Sequence, residues 1–115
     1  MPSRNPAQRL QDIIDNIDSI RAFVTGMDLD GFSRDHRTVY AVVRALEIIS
    51  DASRRLPEDL KNRHPETDWV AVAAAGNVYR HEYESVDESL LWRTIHNELE
   101  PLRRLAEVEL KRGND

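Results

Sequence analysis

From Pro6 to Met27 the apolar residues Leu10, Ile13, Ile14, Ile17, Ile20, Val24 and Met27 recur every three or four positions. That spacing predicts a helix with one buried face. The following GMDLDGFSRD, Gly26 to Asp35, carries two glycines and three aspartates and reads as a closing loop. A second amphipathic run, about Asp35 to Leu56, places Val39, Val42, Val43, Leu46, Ile49 and Ala52 on one face. Pro57 stops it and opens a short helical turn through Lys61. The loop NRHPETD ends in Thr67 and Asp68, good N-cap residues, so a third main helix starts near Trp69. Beyond it, Ser85 stands three residues before Glu88 in a capping-box pattern. From Leu90 through Ile95, Leu99, Leu102 and Leu105 to Val108 the helical repeat continues. Pro101 predicts a kink or break near Glu100. No alternating strand pattern or internal repeat occurs, so the predicted fold is all-α, an antiparallel up-and-down bundle of four to five helices.

Length and composition sharpen this only slightly. A chain of 115 residues suits one domain, 1–115, burying about 65% of its unfolded surface. With no cysteine it has neither disulfides nor thiolate metal sites. The start lacks a signal-peptide core, and no apolar run reaches the ~18 residues of a membrane span, so the expected location is cytoplasmic, with no membrane partner. A net charge of −5 disfavours broad adhesion to nucleic acid. Any such chemistry needs a local basic pocket.

The third helix contains the main functional lead. Seven apolar residues, WVAVAAA, run directly into GNVYRHEY, Gly76 to Tyr83. On a helix starting at Trp69, positions 69, 72, 73, 76, 80 and 83 share a stripe, while Asn77 and His81 form an i,i+4 pair on its flank. Arg80 and His81 can converge on one cleft. An arginine on an apolar seam needs an anion, a solvent-filled groove or an acidic partner, and Asp51 on the second helix is available. A glycine at 76 costs about 1 kcal/mol relative to alanine; close approach of another backbone, or open space below Arg80, offsets it. Tyr79 can stack on Tyr83, pack in the core or line the groove. By spacing alone a structural ion pair and a helix-end histidine outweigh a catalytic site.

ALEIISDA (Ala45 to Ala52), Trp69, GNVYRHEYESVDESLLW (through Trp92) and ELEPL (Glu98 to Leu102) together resemble the HepT-like branch of the HEPN superfamily, over roughly Leu10 to Leu105. The resemblance implies a HEPN-like homodimeric bundle that acts as the toxin of type VII, HepT/MntA, toxin–antitoxin pairs. It implies a metal-independent endoribonuclease with two copies of the motif facing each other across a cleft. His81 takes the acid–base role, Arg80 with Asn77 binds the scissile phosphate, and Tyr83 receives AMP from a minimal nucleotidyltransferase antitoxin that silences the toxin. RNA is the implied substrate.

This sequence departs from the family pattern at the motif arginine, whose position here is Gly76, and at a glycine and glutamate that are Ser50 and Asp51. The expectation is a relocated arginine, Arg80, folding back into the space left at Gly76. The rival is a catalytically inactive subunit that docks the transferase. His36, His64 and His96 lie on separate elements without ligand spacing, and neither a metal nor a cofactor is expected. Glycine-rich phosphate loops and nucleophile elbows are absent from the sequence.

Overall fold

The computed structural model describes the backbone of residues 5–81 and 87–114, and the side chains of all of these except 77–81 and 114. Its described residues form helices joined by short turns, without strands: α1 (Pro6–Val24), α2 (Leu29–Arg34), α3 (His36–Arg54), α4 (Glu58–Asn62), α5 (Trp69–His81), α6 (Glu88–Asn97) and α7 (Leu99–Asn114). Five are long, as the periodicity predicts, and two are short.

Local chemistry sets most of the boundaries. Asn5 caps α1 by accepting from the Ala7 amide at 3.1 Å, and Pro6 opens the helix where its missing N–H costs nothing. The chain leaves α1 through Gly26, whose φ of +78° belongs to the region that side chains disfavour. The predicted closing loop is instead largely helical. Asp28 accepts from the Gly31 amide at 2.8 Å and nucleates the six-residue α2, which buries Phe32 completely. Tertiary burial of that one ring, 5.3 Å from Trp92 between centroids, outweighs the turn-forming composition. Asp35 caps α3 through the Thr38 amide and hydroxyl, and those bonds hold its carboxyl below the usual range.

The cap of α6 is Asp87, which accepts from Leu90 N at 3.1 Å, rather than the predicted Ser85 of the capping box; Ser85 lies outside the described residues. The break expected near Glu100 falls at Glu98, and Pro101 occupies the first turn of α7, where no helical bond is lost.

α3 is the central element, packed between α1 and α5, and α1 also meets α7. α2 rests on α3 and α6. The core runs through Leu10, Ile13, Ile17 and Ile20 of α1, Val42, Leu46 and Ile49 of α3, and Leu91, Leu102 and Ala106 of the last two helices. α5 rests chiefly on α3, and an apolar groove separates it from the α6–α7 junction. As a result the WVAVAAA run is not uniformly core. Trp69, Val72 and Ala75 face inward, whereas Val70 is 81% exposed.

The α4–α5 connection is pinned from two sides. The Trp69 indole donates to the Lys61 and His64 carbonyls, each at 3.2 Å. Arg63 and His64 both engage Glu109 of α7, a carboxylate only 5% exposed.

Candidate functional site

α5 delivers the sequence motif. Asp68 accepts from the Ala71 amide at 3.0 Å and so starts the helix where predicted. Thirteen residues later it reaches His81. Asn77, Tyr79, Arg80 and His81 therefore occupy its last turn and a half, on regular helical backbone. Tyr83, the proposed modification site, lies outside the described residues.

The contact between α5 and α3 is organised by Gly76 and Ser50. The Gly76 amide donates to Ser50 Oγ at 2.9 Å, and the same hydroxyl donates to the Val72 carbonyl at 2.8 Å. One hydroxyl thus touches both ends of a single helical i,i+4 pair. A Cβ placed on Gly76 would meet Glu47 Cα at 2.9 Å and Ser50 Cβ and Oγ at 3.0 Å. The glycine serves close approach of α3, and the space directly over it is filled. That corrects the expectation that Arg80 could fold back into the room left at Gly76. Two of the three positions singled out as departures in the sequence, 50 and 76, are in mutual contact, and the serine at 50 fills the space over the glycine.

Substituting arginine at 76 therefore forces the two helices apart. Gly76→Arg is expected to lose at least about 1–3 kcal/mol, the usual cost of overpacking. Adding Ser50→Gly recovers only part of this, because Glu47 Cα remains in place. Urea titration of the single and double variants checks it; a Gly76→Arg protein as stable as the parent would contradict this packing.

Beside Gly76, rather than over it, opens a polar cleft of ≈ 250 Å³. Arg9 and Asp12 of α1 line it, together with Arg44, Glu47, Asp51 and Arg54 of α3. Each guanidinium sits near a carboxylate of its own helix: Arg9 with Asp12 at 3.6 Å, Arg44 with Glu47 at 3.4 Å, Arg54 with Asp51 at 3.7 Å. Long, partly exposed pairs of this kind stabilise little, so the cations remain available to a stronger anion. Arg9 Nε is buried and has no hydrogen-bond partner among the described residues. Arg54 also donates to the Ala73 carbonyl.

Asp51 is held by Arg54 and, at 3.1 Å, by Arg55. The antiparallel register of α3 and α5 places it toward the N-terminal half of α5. Glu47 is level with Gly76, so Asp51 and Arg80 lie about 6 Å along the axis on opposite sides of that contact. Arg44, three residues before Glu47, lies instead on the Arg80 side.

Periodicity in the sequence marks the exposed stripe of α3 that carries Arg44, but only the register against α5 shows that it flanks the motif. No group of three or more histidine, aspartate or glutamate side chains suited to a metal ion occurs among the described residues. No helix among them is long and apolar enough to cross a membrane.

Comparison with known proteins agrees with the family resemblance. The family model described as "Ribonuclease HepT-like" matches residues 13–109. A Thermococcus cleftensis protein named "Probable ribonuclease HepT" is 36% identical over 100 residues, covering 87% of this chain and 91% of that one. A Methanocaldococcus jannaschii protein named "Putative RNase MJ0127" is 32% identical over 99 residues, covering 86% and 82% of the two chains. No solved structure matches.

Proposed function

Because this chain belongs to the HepT-like ribonuclease family, we propose that it is a metal-independent endoribonuclease, the toxin of a toxin–antitoxin pair, working as a homodimer. The observation that carries this reading is the placement of Asn77, Arg80 and His81 on the final turns of α5, beyond a cleft at Gly76 lined by three arginines and three carboxylates. The cleft's three arginines are matched by its three carboxylates in long pairs, which an entering phosphate can displace. The exposed apolar face of α5, with Val70, Ala71 and Ala74, supports a second copy packing there and bringing two motifs together.

Cleavage without a metal uses the RNA's own 2′-hydroxyl. That oxygen attacks the adjacent phosphorus while a base removes its proton; the 5′-oxygen of the next nucleotide leaves as an acid supplies one. His81 and its counterpart on the second copy share these transfers, since an imidazole titrates at about 6.5 in the absence of perturbation. Arg80 and Asn77 hold the phosphate, where a planar guanidinium meets the charge that grows in the transition state. AMP on Tyr83, transferred by a minimal nucleotidyltransferase antitoxin, places a competing phosphodiester beside that guanidinium and closes the site.

Product chemistry tests this reading. RNA incubated with the protein and a chelator is expected to yield fragments ending in 2′,3′-cyclic phosphate, and an RNA with a 2′-deoxy residue at the cut site should stay intact there. Cleavage of the deoxy-substituted RNA, or loss of cleavage with the chelator, would refute it. Mass spectrometry after co-expression with the transferase should find AMP on Tyr83; AMP found only elsewhere removes the silencing step.

A second reading, a non-catalytic subunit that docks the transferase, is favoured by one observation. Gly76 stands where the family pattern has arginine, and α3 leaves no room to restore it.

A further inference from the structure

The exposed face of α3 beyond the cleft has a composition that its own fold does not use. Arg37, Tyr40 and Arg44 follow at steps of three and four and so share a stripe, and all three are exposed. Tyr40 is 68% exposed, the most of any aromatic ring among the described residues, and no described residue bonds its hydroxyl. Arg37 makes no ion pair among the described residues, and its field acts on the nearby Asp35 carboxylate. Among the described residues Arg44 has only the 3.4 Å contact with Glu47.

Register ties this stripe to the motif. With Glu47 facing Gly76, three residues back along α3 and four forward along α5 are displacements of about 4.5 and 6 Å in the same direction. The turn carrying Arg44 is therefore level with the turn carrying Arg80, and Tyr40 and Arg37 continue away from the cleft.

We propose that Arg37, Tyr40 and Arg44 form a platform for single-stranded RNA leading into the cleft at Gly76, with a base stacked on Tyr40 and the flanking phosphates held by the two arginines. This rests on the ribonuclease reading and specifies how an acidic chain holds its substrate. The chemistry favours RNA: an aromatic face between two guanidiniums about 10 Å apart along the helix suits an unpaired strand with alternating planar bases and charged links. A protein hot spot can also use tyrosine and arginine, and the oligomeric state of the Tyr40 variant separates that case.

The test uses a fluorescent 2′-O-methyl oligonucleotide of roughly ten residues, which lacks the attacking hydroxyl and so reports binding alone. Tyr40→Ala is expected to weaken binding roughly 5- to 100-fold, as removal of a stacking ring does, while Tyr40→Phe stays near the parent. Arg37→Ala and Arg44→Ala should each lower the slope of log K against log salt by about 0.7. Parent-level binding by Tyr40→Ala, or no binding by the parent, overturns the platform. A change of oligomeric state on Tyr40→Ala also overturns it, in favour of a protein interface. Cleavage of unmodified RNA, measured in parallel, separates the two ideas. A parent that binds through Tyr40 and cleaves nothing sinks the nuclease reading and spares the platform; undiminished cleavage and binding by Tyr40→Ala does the reverse.

Discussion

Replacing His81 with alanine is expected to reduce RNA cleavage by roughly 10²- to 10⁴-fold, the usual contribution of one acid–base group. The proposed chemistry gives the imidazole two jobs, one in each copy of the dimer. Losing both copies removes the proton acceptor for the 2′-hydroxyl and the donor for the leaving oxygen together. Arg80→Ala should act differently, because a cation that holds phosphate contributes to binding as well as to the transition state, so KM rises along with the fall in kcat. Initial rates on a labelled RNA, with circular dichroism to confirm equal helicity, distinguish the cases. If His81→Ala cleaves as fast as the parent, the acid–base assignment is wrong and the docking-subunit reading gains. If only Arg80→Ala is silent, the phosphate contact passes to the arginines of the cleft, with Arg44 first by register.

Glu109→Ala is expected to destabilise the fold by about 2–4 kcal/mol. Glu109 takes 2.6 and 3.3 Å bonds from Arg63 and a 2.7 Å bond from His64 Nε2, which must carry the proton because a carboxylate only accepts. Removing the carboxylate leaves three N–H donors, from two side chains, facing a side-chain site that is 3% exposed. Breaking a fully buried pair costs about 3–5 kcal/mol. The value here is lower because Arg63 is itself 33% exposed and also has Asp59 at 3.7 Å. The loss should loosen the start of α5, since the same loop carries the carbonyl that accepts from Trp69.

Acidity reads the same interaction. The Arg63 hydrogen bond holds the Glu109 carboxyl below the ordinary glutamate value of 4.5, burial opposes that shift, and His64 adds to it. A depressed folded-state value means that the unfolded chain binds the proton first. The stabilisation is therefore complete above about pH 4.5 and is lost as pH falls through the lower folded value. Asp18, lowered chiefly by its hydrogen bond with Arg103, adds a smaller loss in the same direction. Urea midpoints of parent and Glu109→Ala should converge on acidification; a constant difference down to pH 3 would contradict this linkage.

The long helices were legible because their information is local. Ile13, Ile17 and Ile20 repeat at helical spacing whatever they pack against, and Asp68, Pro57 and Pro101 act within a turn of themselves. The same locality made HxY after an apolar helix readable as a motif. α2 escaped because its six residues hold one buried ring, and no periodicity can show in a single turn and a half. Glu109 escaped because a lone glutamate on a helix has nothing to distinguish it until Arg63 and His64, more than forty residues earlier, fold against it.

The sequence by itself determined an all-helical chain with Asn77, Arg80 and His81 carried at the end of one apolar helix, since a side chain's face follows from spacing alone. Only tertiary structure decided what Gly76 is for, which charged groups surround the cleft, and that the turn carrying Arg44 lies level with the turn carrying Arg80. Those depend on the register of two helices whose contacting residues, Ser50 and Gly76, stand 26 positions apart in the chain. That register is set by close contact between a glycine backbone and a serine hydroxyl, an interaction with no trace in the spacing of either helix.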